Sequence, residues 1–342
     1  MYIEKVELEN FRNYSKQEIE FINGINLFIG NNAQGKTNII ESIYVSAFGK
    51  SYRAQKDNEL IKFSSNFCRI KLLYFKDKLK KNNDVKISKI SDFVGEILIV
   101  TFSPDSLDIV KGAPSKRRSF IDMICCQLSK SYIISHQEYM KCLKLKNSML
   151  KKDAIDREYI YILHEKMSIY IEKIVKFRKY VIDKLIQKAK VIENKITDGK
   201  EDIDIIYTTD FLDMNKEQIC KYLNEHLFIE EMRRSSIKGI QRDDIIINVN
   251  NVEVNKFGSQ GQARTALLTL KLANFEVLME EKDEMPILLL DDIMSELDNN
   301  RISFLLKYIE RYQSIITTTD DTIVKNVQNI KISKVSNGTL EI

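Results

Sequence analysis

The stretch LFIGNNAQGKTNIIESIYVSAF, residues 27–48, joins an apolar run to a helical repeat through a loop with two glycines. The first three residues predict a buried strand, and the apolar residues from Ile39 to Ala47 recur every three or four positions, as on one face of a helix. The loop between them, GNNAQGKT at residues 30–37, matches G-x-x-x-x-G-K-[ST] in full. This order of strand, loop and helix predicts a phosphate-binding site.

In such a loop the glycines allow backbone N–H groups to face phosphate oxygens, and the helix N-terminus adds a favourable field. Lys36 is then expected to reach the β and γ phosphates, and the Thr37 hydroxyl to ligate Mg²⁺. A chance turn without a ligand is the alternative, and the four fixed positions disfavour it. The predicted nucleotide contacts are Gly30, Asn31, Asn32, Ala33, Gln34, Gly35, Lys36, Thr37 and Asn38.

The whole chain has 342 residues, enough for one large domain or two modest ones. Its five cysteines form no C-x-x-C pair, which predicts reduced thiols in a cytoplasmic protein. Three widely spaced histidines disfavour a zinc site. A charged start, MYIEKVELENF, and the lack of any apolar span of ~20 residues predict neither signal peptide nor membrane segment.

Positive charge is concentrated in the middle of the chain. Residues 111–200 contain 21 Lys and Arg against 10 Asp and Glu, or +11, while the remainder has 32 against 39, or −7. This asymmetry indicates either a solvated helical face or a nucleic-acid surface. Arg117 and Arg118 in GAPSKRRSF are candidate contacts, and the alternative is that they pair with acidic neighbours.

The chain divides by pattern into a strand-rich start, a helical middle and a mixed end. Residues 1–110 alternate as strands apart from the first helix, with a turn predicted at 78–83. Residues 115–196 contain no glycine or proline and have helical spacing. Strand character returns at 203–207, and a hairpin is expected to turn at Asn250 and Asn251. We therefore predict a split lobe of residues 1–110 and 240–342, interrupted by a helical, basic lobe of residues 111–239.

The second strong signal is EMPILLLDDIMSELD, residues 284–298. Its apolar residues 287–290 predict a buried parallel strand that delivers Asp291 and Asp292 to its carboxyl edge, where ligands bind in open α/β sheets. Asp291 is expected to hold Mg²⁺ together with Thr37, and Asp292 to orient or deprotonate the attacking water.

A glycine-flanked serine lies upstream, in FGSQGQARTALLTLKLA. Ser259 stands where the N-cap of a helix starting near Gln262 would stand, so a simple helix start is one interpretation. The other is a second phosphate site, formed by Ser259, Gln260, Gly261 and Gln262, that covers the γ-phosphate held by another molecule.

The order GNNAQGKT, SQGQ and LLLDD-x-x-SELD resembles the ABC-type ATPase heads of SMC-like repair proteins. With ENFRNY, GAPSKRRSFID, RDD and FGSQGQARTALLTLKLA, the chain resembles the RecF family over nearly its whole length. That resemblance implies an α/β fold: an ABC-type P-loop ATPase head, split in sequence, with an inserted and mainly helical second lobe.

The resemblance also implies a slow, DNA-stimulated ATPase of recombinational repair and replication restart, within the SOS response, that uses ATP and Mg²⁺. Lys36, Asp291, Asp292 and Ser259 would be its catalytic residues, and Asp298 would lie at the interface of an ATP-dependent homodimer. Gapped or single-strand/double-strand junction DNA would be the substrate, and RecO, RecR and RecA the partners.

Some positions depart from the family pattern. Gln241 replaces the histidine of GPHRDD, and Thr317 to Thr319 occupy the region of the ABC switch histidine.

Alternative functions also stay open: a DNA clamp that binds ATP without hydrolysing it, a transporter-type ABC subunit or a small-molecule P-loop kinase.

Overall fold

The computed structural model describes residues 1–76, 79–85, 94–319 and 328–341. The strands are β1 (Tyr2–Phe11), β2 (Tyr14–Glu20), β3 (Ile25–Ile29), β4 (Arg69–Lys76), β5 (Leu79–Val85), β6 (Ile99–Phe102), β7 (Ile203–Thr208), β8 (Asp244–Val249), β9 (Val252–Glu253), β10 (Ile287–Asp291), β11 (Ser314–Thr318), β12 (Ile330–Ser336) and β13 (Thr339–Glu341). The helices are α1 (Lys36–Phe48), α2 (Asp108–Lys111), α3 (Pro114–Leu128), α4 (Lys130–Leu150), α5 (Arg157–Thr197), α6 (Lys216–Glu225), α7 (Leu227–Arg233), α8 (Val254–Phe257), α9 (Gln260–Lys282) and α10 (Asn299–Ile309). Short 3-10 helices cover Asp57–Leu60, Pro104–Leu107, Ile240–Arg242 and Ile293–Glu296. Among the described residues, no helix is long and apolar enough to cross a membrane.

The chain forms two compact units, one of Met1–Leu107 with Leu267–Ile342 and the other of Asp108–Ala266. The predicted boundary at 239/240 is therefore misplaced. Residues 240–266 group with the inserted unit because β8 pairs along its whole length with β7. The sequence pattern could not show this pairing, since the partner strand lies before α6 and α7.

A six-stranded sheet in the order β13-β12-β3-β11-β10-β6 forms the centre of the first unit. The pairs from β12 to β6 are parallel, and only β13 joins antiparallel. Its central strands β3, β11 and β10 are buried at every residue except Ile29, which accounts for their largely apolar sequences. The register sets Asp291 opposite Thr317 and Thr317 opposite Phe28, so β3, β10 and β11 end at the same edge.

A second, antiparallel sheet in the order β2-β1-β4-β5 belongs to the same unit. Helix α1 contacts strands of both sheets and is buried almost all around. The turn predicted at 78–83 is wrong for residues 79–83, which lie in β5, while residue 78 is outside the described residues. Pairing with β4 overrides the low strand propensity of lysine and asparagine there.

The second unit contains the long helices that the glycine-free segment predicts, α3, α4 and α5, the last with 41 residues. Helices α4 and α5 begin at the side-chain caps Ser129 and Asp156. The predicted hairpin is confirmed: Asn250 and Asn251 both have positive φ between β8 and β9. The second strand of this hairpin, β9, has only two residues, however, and α8 follows it directly.

Candidate nucleotide-binding site

The phosphate loop requires glycine at both of its fixed glycine positions. A Cβ on Gly30 would lie 2.3 Å from the Val335 carbonyl oxygen on β12. Gly35 has φ of 113°, and a Cβ there would lie 2.6 Å from the Asn13 amide nitrogen. Since both obstacles are close, and one is backbone, any side chain would displace the loop.

Polar groups outside the loop fix its path. The Gln34 carbonyl oxygen accepts two hydrogen bonds, from the Asn13 side-chain amide across 3.1 Å and from the Gly338 N–H across 3.0 Å. The Tyr14 hydroxyl donates to the Gly35 carbonyl oxygen across 3.2 Å. The Asn337 N–H donates to the Gln34 side chain across 2.6 Å. The loop is therefore held by β-hairpin residues on either side rather than by its own sequence alone.

Lys36 lies inside the loop with 7% of its surface exposed. Its Nζ donates to the carbonyl oxygens of Gly30 and Asn31 across 2.5 and 2.8 Å. Burial lowers the pKa of Lys36, while the nearby charges of Asp292 and Asp291 act to raise it. This ammonium group is thus enclosed by the loop's own carbonyls and can exchange them for the oxygens of an anion.

Three hydroxyl groups converge on the carboxylate of Asp291. Thr37 Oγ1 and Thr317 Oγ1 donate to Oδ1 across 2.8 and 2.9 Å, and the Tyr52 hydroxyl donates to Oδ2 across 3.1 Å. Asp291 is 4% exposed. These three hydrogen bonds hold the carboxylate in one orientation.

Asp292 follows with a left-handed backbone, φ 51°. Its N–H donates to the Thr317 carbonyl oxygen and hydroxyl across 3.2 and 3.1 Å. Burial raises the pKa of Asp292, the Lys36 charge opposes this, and the Asp291 and Glu296 charges reinforce it. A positive φ at a non-glycine residue costs free energy and is common at functional sites.

These residues fit a magnesium nucleotide. A hydroxyl and a carboxylate already in contact supply two of the oxygen ligands that Mg²⁺ prefers, and Thr37 with Asp291 form such a pair. The N-cap of helix α1 is Gly35, which has no side chain to cap the helix, so its first N–H groups suit phosphate oxygens.

The remaining loop residues differ in exposure. Asn31, Asn32 and Ala33 are exposed, and Ala33 has φ of 65°. The Asn38 side chain donates to Asn13 Oδ1 across 2.8 Å and accepts from Arg53 across 3.2 Å, so its contacts in this structure support the loop.

Ser259 to Gln262 lie in the second unit. The Ser259 hydroxyl accepts from the Gln262 N–H, and the Gln262 side chain accepts from the Ser259 N–H, each across 3.1 Å. This is a capping box, so the interpretation of Ser259 as an N-cap is confirmed, and α9 begins two residues before the predicted start. A capping hydroxyl keeps its own proton for donation, so the cap is compatible with a phosphate contact.

Lys111 supports the same turn. Its Nζ donates to the carbonyl oxygens of Val254 and Gly258 across 2.7 and 2.6 Å.

The two arginines considered as DNA contacts are both paired within the chain. Arg117 is 7% exposed and forms two hydrogen bonds with Asp244, so the alternative that it pairs with an acidic neighbour is confirmed. Arg118 donates to the Asp243 carbonyl across 2.8 Å.

Comparison with known proteins places this geometry in a family. The family model described as AAA ATPase domain matches residues 1–342. The DNA replication and repair protein RecF of Clostridium novyi (strain NT) is 41% identical, with 99% of each chain covered. The chain belongs to the RecF family.

Solved structures agree. A structure of the recombination mediator protein RecF, described as RecF-ATPrS in the RecFOR pathway, superposes with a TM-score of 0.89 at 32% identity, covering 99% of this chain and 97% of the other. An SMC head bound to a winged-helix domain of ScpA shares the fold, with a TM-score of 0.56 at 17% identity, covering 100% and 97%. The predicted ABC-type head fold is thereby confirmed.

Some residues of this RecF-family site were not predicted as parts of it. Tyr52 lies in no recognised motif, and its place in the site is evident from its contact with Asp291. Asn13 and Tyr14 belong to ENFRNY, a segment noted only for its resemblance to RecF. The polar residues of that segment were the one signal that could have pointed to the site. Among Thr317 to Thr319, Thr317 contacts Asp291, whereas Thr319 is exposed. Gln241 accepts from the Tyr139 hydroxyl and donates to the Lys238 carbonyl within the second unit.

Proposed function

We propose that this chain is an ATP-dependent DNA-binding protein of recombinational repair and replication restart. It is a slow, DNA-stimulated ATPase that dimerises with ATP. The observation that carries the proposal is the 2.8 Å contact between Thr37 and Asp291, because it joins the phosphate loop to the acidic strand end in one magnesium-type site. Membership of the RecF family supports the DNA-repair role.

Bound ATP with Mg²⁺ would supply the scissile phosphoanhydride and its charge neutralisation. Lys36 binds the phosphates with its ammonium group, and the loop N–H groups orient them. Thr37 and Asp291 would hold the magnesium ion. Rigid supports around the loop, including Asn13 and Tyr14, keep these groups in place before the nucleotide arrives.

Asp292 orients the attacking water and accepts its proton. A pKa raised by burial makes this carboxylate a better base than an exposed aspartate. Aspartate is one methylene shorter than the glutamate usual in ABC heads, so its carboxylate positions the water less well, which suits a slow switch better than a rapid pump.

Ser259 to Gln262 bind the nucleotide of a second copy. Their place at the N-terminus of the 23-residue helix α9 provides N–H groups and a favourable field for an anion. Lys111 holds the turn that presents them. A two-fold dimer would contain two such shared sites, and Asp298, the N-cap of α10, would lie at the same interface.

The proposed substrate is gapped or single-strand/double-strand junction DNA in the cytoplasm. The +11 balance of residues 111–200 supports a phosphate-binding surface on the second unit. RecO, RecR and RecA are the proposed partners in recombinase loading, and the RecFOR pathway named for the similar solved structure supports the first two.

A DNA clamp that binds ATP without hydrolysis is the second candidate, since the Thr37–Asp291 contact would serve a bound magnesium nucleotide whether or not it is hydrolysed. Sedimentation with ATP, ADP or no nucleotide, each with and without gapped DNA, tests the ATP-driven dimer. Phosphate release in the same samples separates the candidates. ATP-dependent dimers with no released phosphate would support the clamp, and a sedimentation profile unchanged by ATP would contradict both.

A further inference from the structure

The segment after α1 returns toward the phosphate site. Helix α1 ends at Phe48, and its C-cap Gly49 has a left-handed backbone with φ of 66°. The Ser51 hydroxyl then accepts from the N–H groups of Arg53 and Ala54 across 2.8 and 2.9 Å. Tyr52 thus lies in a locally ordered turn rather than in an extended loop.

A buried anion anchors this turn to α1. Glu41 is fully buried, and the Ser51 hydroxyl donates to it across 2.5 Å. Arg12 neutralises Glu41 with two hydrogen bonds of 2.9 and 2.6 Å, and Arg53 lies 3.7 Å away. Since a buried carboxylate is costly without partners, Glu41 needs these contacts, and its hydrogen bond with Ser51 fixes that residue.

The fixed turn aims the Tyr52 hydroxyl at Asp291. The ring packs edge-on against Tyr44, with centroids 4.9 Å apart, and the hydroxyl donates to Asp291 Oδ2 across 3.1 Å. The two threonines donate only to Oδ1. The Tyr52 contact therefore restrains rotation of the carboxylate about its own axis.

We propose that Tyr52 is a positioning residue for Asp291, which it holds in the orientation that binds magnesium. The inference rests on the proposed function, because Asp291 matters as a magnesium ligand only in an ATP site. Hydrogen-bond partners of metal ligands typically change metal affinity by 10–100-fold when removed. The Glu41 cluster then acts as the rigid support that places Tyr52.

Tyr52→Phe tests this, because it removes the hydroxyl and keeps the ring against Tyr44. The affinity for a fluorescent ATP analogue is measured over a range of Mg²⁺ concentrations, without turnover. We expect the Mg²⁺ concentration at half-saturation to rise by about 10-fold or more. Mn²⁺ binding in the presence of nucleotide, followed by electron paramagnetic resonance, should weaken in parallel.

Tyr2→Phe is the matched control. It makes the same chemical change in the same unit, on a ring that stacks on Phe75. We expect wild-type Mg²⁺ dependence from it, and thermal melting shows whether either variant is destabilised.

If Tyr52→Phe melts earlier but keeps the wild-type Mg²⁺ midpoint, Tyr52 is only a structural strap and the inference is overturned. An unchanged midpoint with unchanged stability overturns it equally. If wild-type protein itself bound the nucleotide without any Mg²⁺ dependence, the proposed function would fail first, so the two failures are distinguishable.

Discussion

The hydroxyl of Thr37 donates to Asp291 Oδ1 across 2.8 Å, although the two residues are 254 positions apart. Thr37 stands at the start of α1 and Asp291 at the end of β10. Strand β11 lies between β3 and β10 in the sheet, so the contact depends on three parallel strands in one register. Changes at this edge should consequently affect nucleotide binding and hydrolysis in separable ways.

Lys36→Met and Asp292→Asn should separate binding from hydrolysis. Lys36→Met removes charge from the ground-state phosphates, so ATP affinity should fall by about 10-fold or more and dimerisation should be lost. Asp292→Asn should retain binding and dimerisation but lose roughly 100-fold in turnover, because asparagine cannot accept the proton. Asparagine also tolerates the positive φ of this position. Equilibrium ATP binding, sedimentation and phosphate release measure the three effects, and wild-type turnover in Asp292→Asn would remove Asp292 from the mechanism.

Mixing two inactive variants tests whether the site is shared. Ser259→Arg should leave monomer ATP affinity nearly unchanged, because its own phosphate loop is intact, and should abolish dimerisation and turnover. Mixed with Lys36→Met, it can form a heterodimer in which one site combines its intact Lys36 with the other chain's intact Ser259. We expect partial ATPase activity in the mixture and from neither variant alone. Loss of ATP affinity in the Ser259→Arg monomer would show instead that Ser259 serves its own chain.

DNA binding should be mainly electrostatic. Lys166 and Lys173 are exposed and seven positions apart on α5, so they lie on one helical face. Replacing both with glutamine should weaken duplex binding and reduce the slope of log K against log salt by about 0.9 for each lost phosphate contact. The control replaces Lys216 and Lys221, exposed on α6 and outside the basic segment. Titrations at several salt concentrations measure both, and an affinity that hardly changes with salt would contradict the electrostatic model.

His164 should make the protein less stable in mild acid. It is fully buried, and burial, with the Lys146 charge, lowers its pKa from 6.5 to about 4, against a hydrogen bond to Asn224. Between these values the unfolded chain binds a proton that the folded chain does not. The free energy of unfolding should therefore fall as pH drops from about 6.5 to 4, by up to about 1.4 kcal/mol per pH unit.

His164→Gln should have a shallower slope in this range, and the two curves should run parallel above pH 7. Urea unfolding at several pH values measures this. Equal slopes for wild type and variant below pH 6 would show that His164 is protonated in the folded state.

The sequence predicted those parts of the site that are local or follow from strand order. GNNAQGKT forms its loop from neighbouring residues, and an apolar strand ending in two aspartates leads to a sheet edge whatever its neighbours are. Tyr52 was not predictable, because its role depends on Glu41 and Asp291, which lie before and long after it in sequence.

The same reason explains the errors in the predicted fold. β5 is a strand because β4 pairs with it, not because of its own lysines and asparagines. Likewise, the segment from Asp244 onward follows β7 into the inserted unit. In both cases a partner strand decided the outcome, and its pairing is invisible in a local pattern.

The order of the strands has a consequence for synthesis of the protein on the ribosome. β3, which leads into the phosphate loop, is flanked by β11 and β12, and the first of these begins at Ser314. At about 5–20 residues per second, β3 would wait roughly 15–60 s for its neighbours, with both edges open. The nascent chain is thus unable to hold ATP for most of its translation, and we expect a chaperone or the ribosome surface to shield that apolar strand meanwhile.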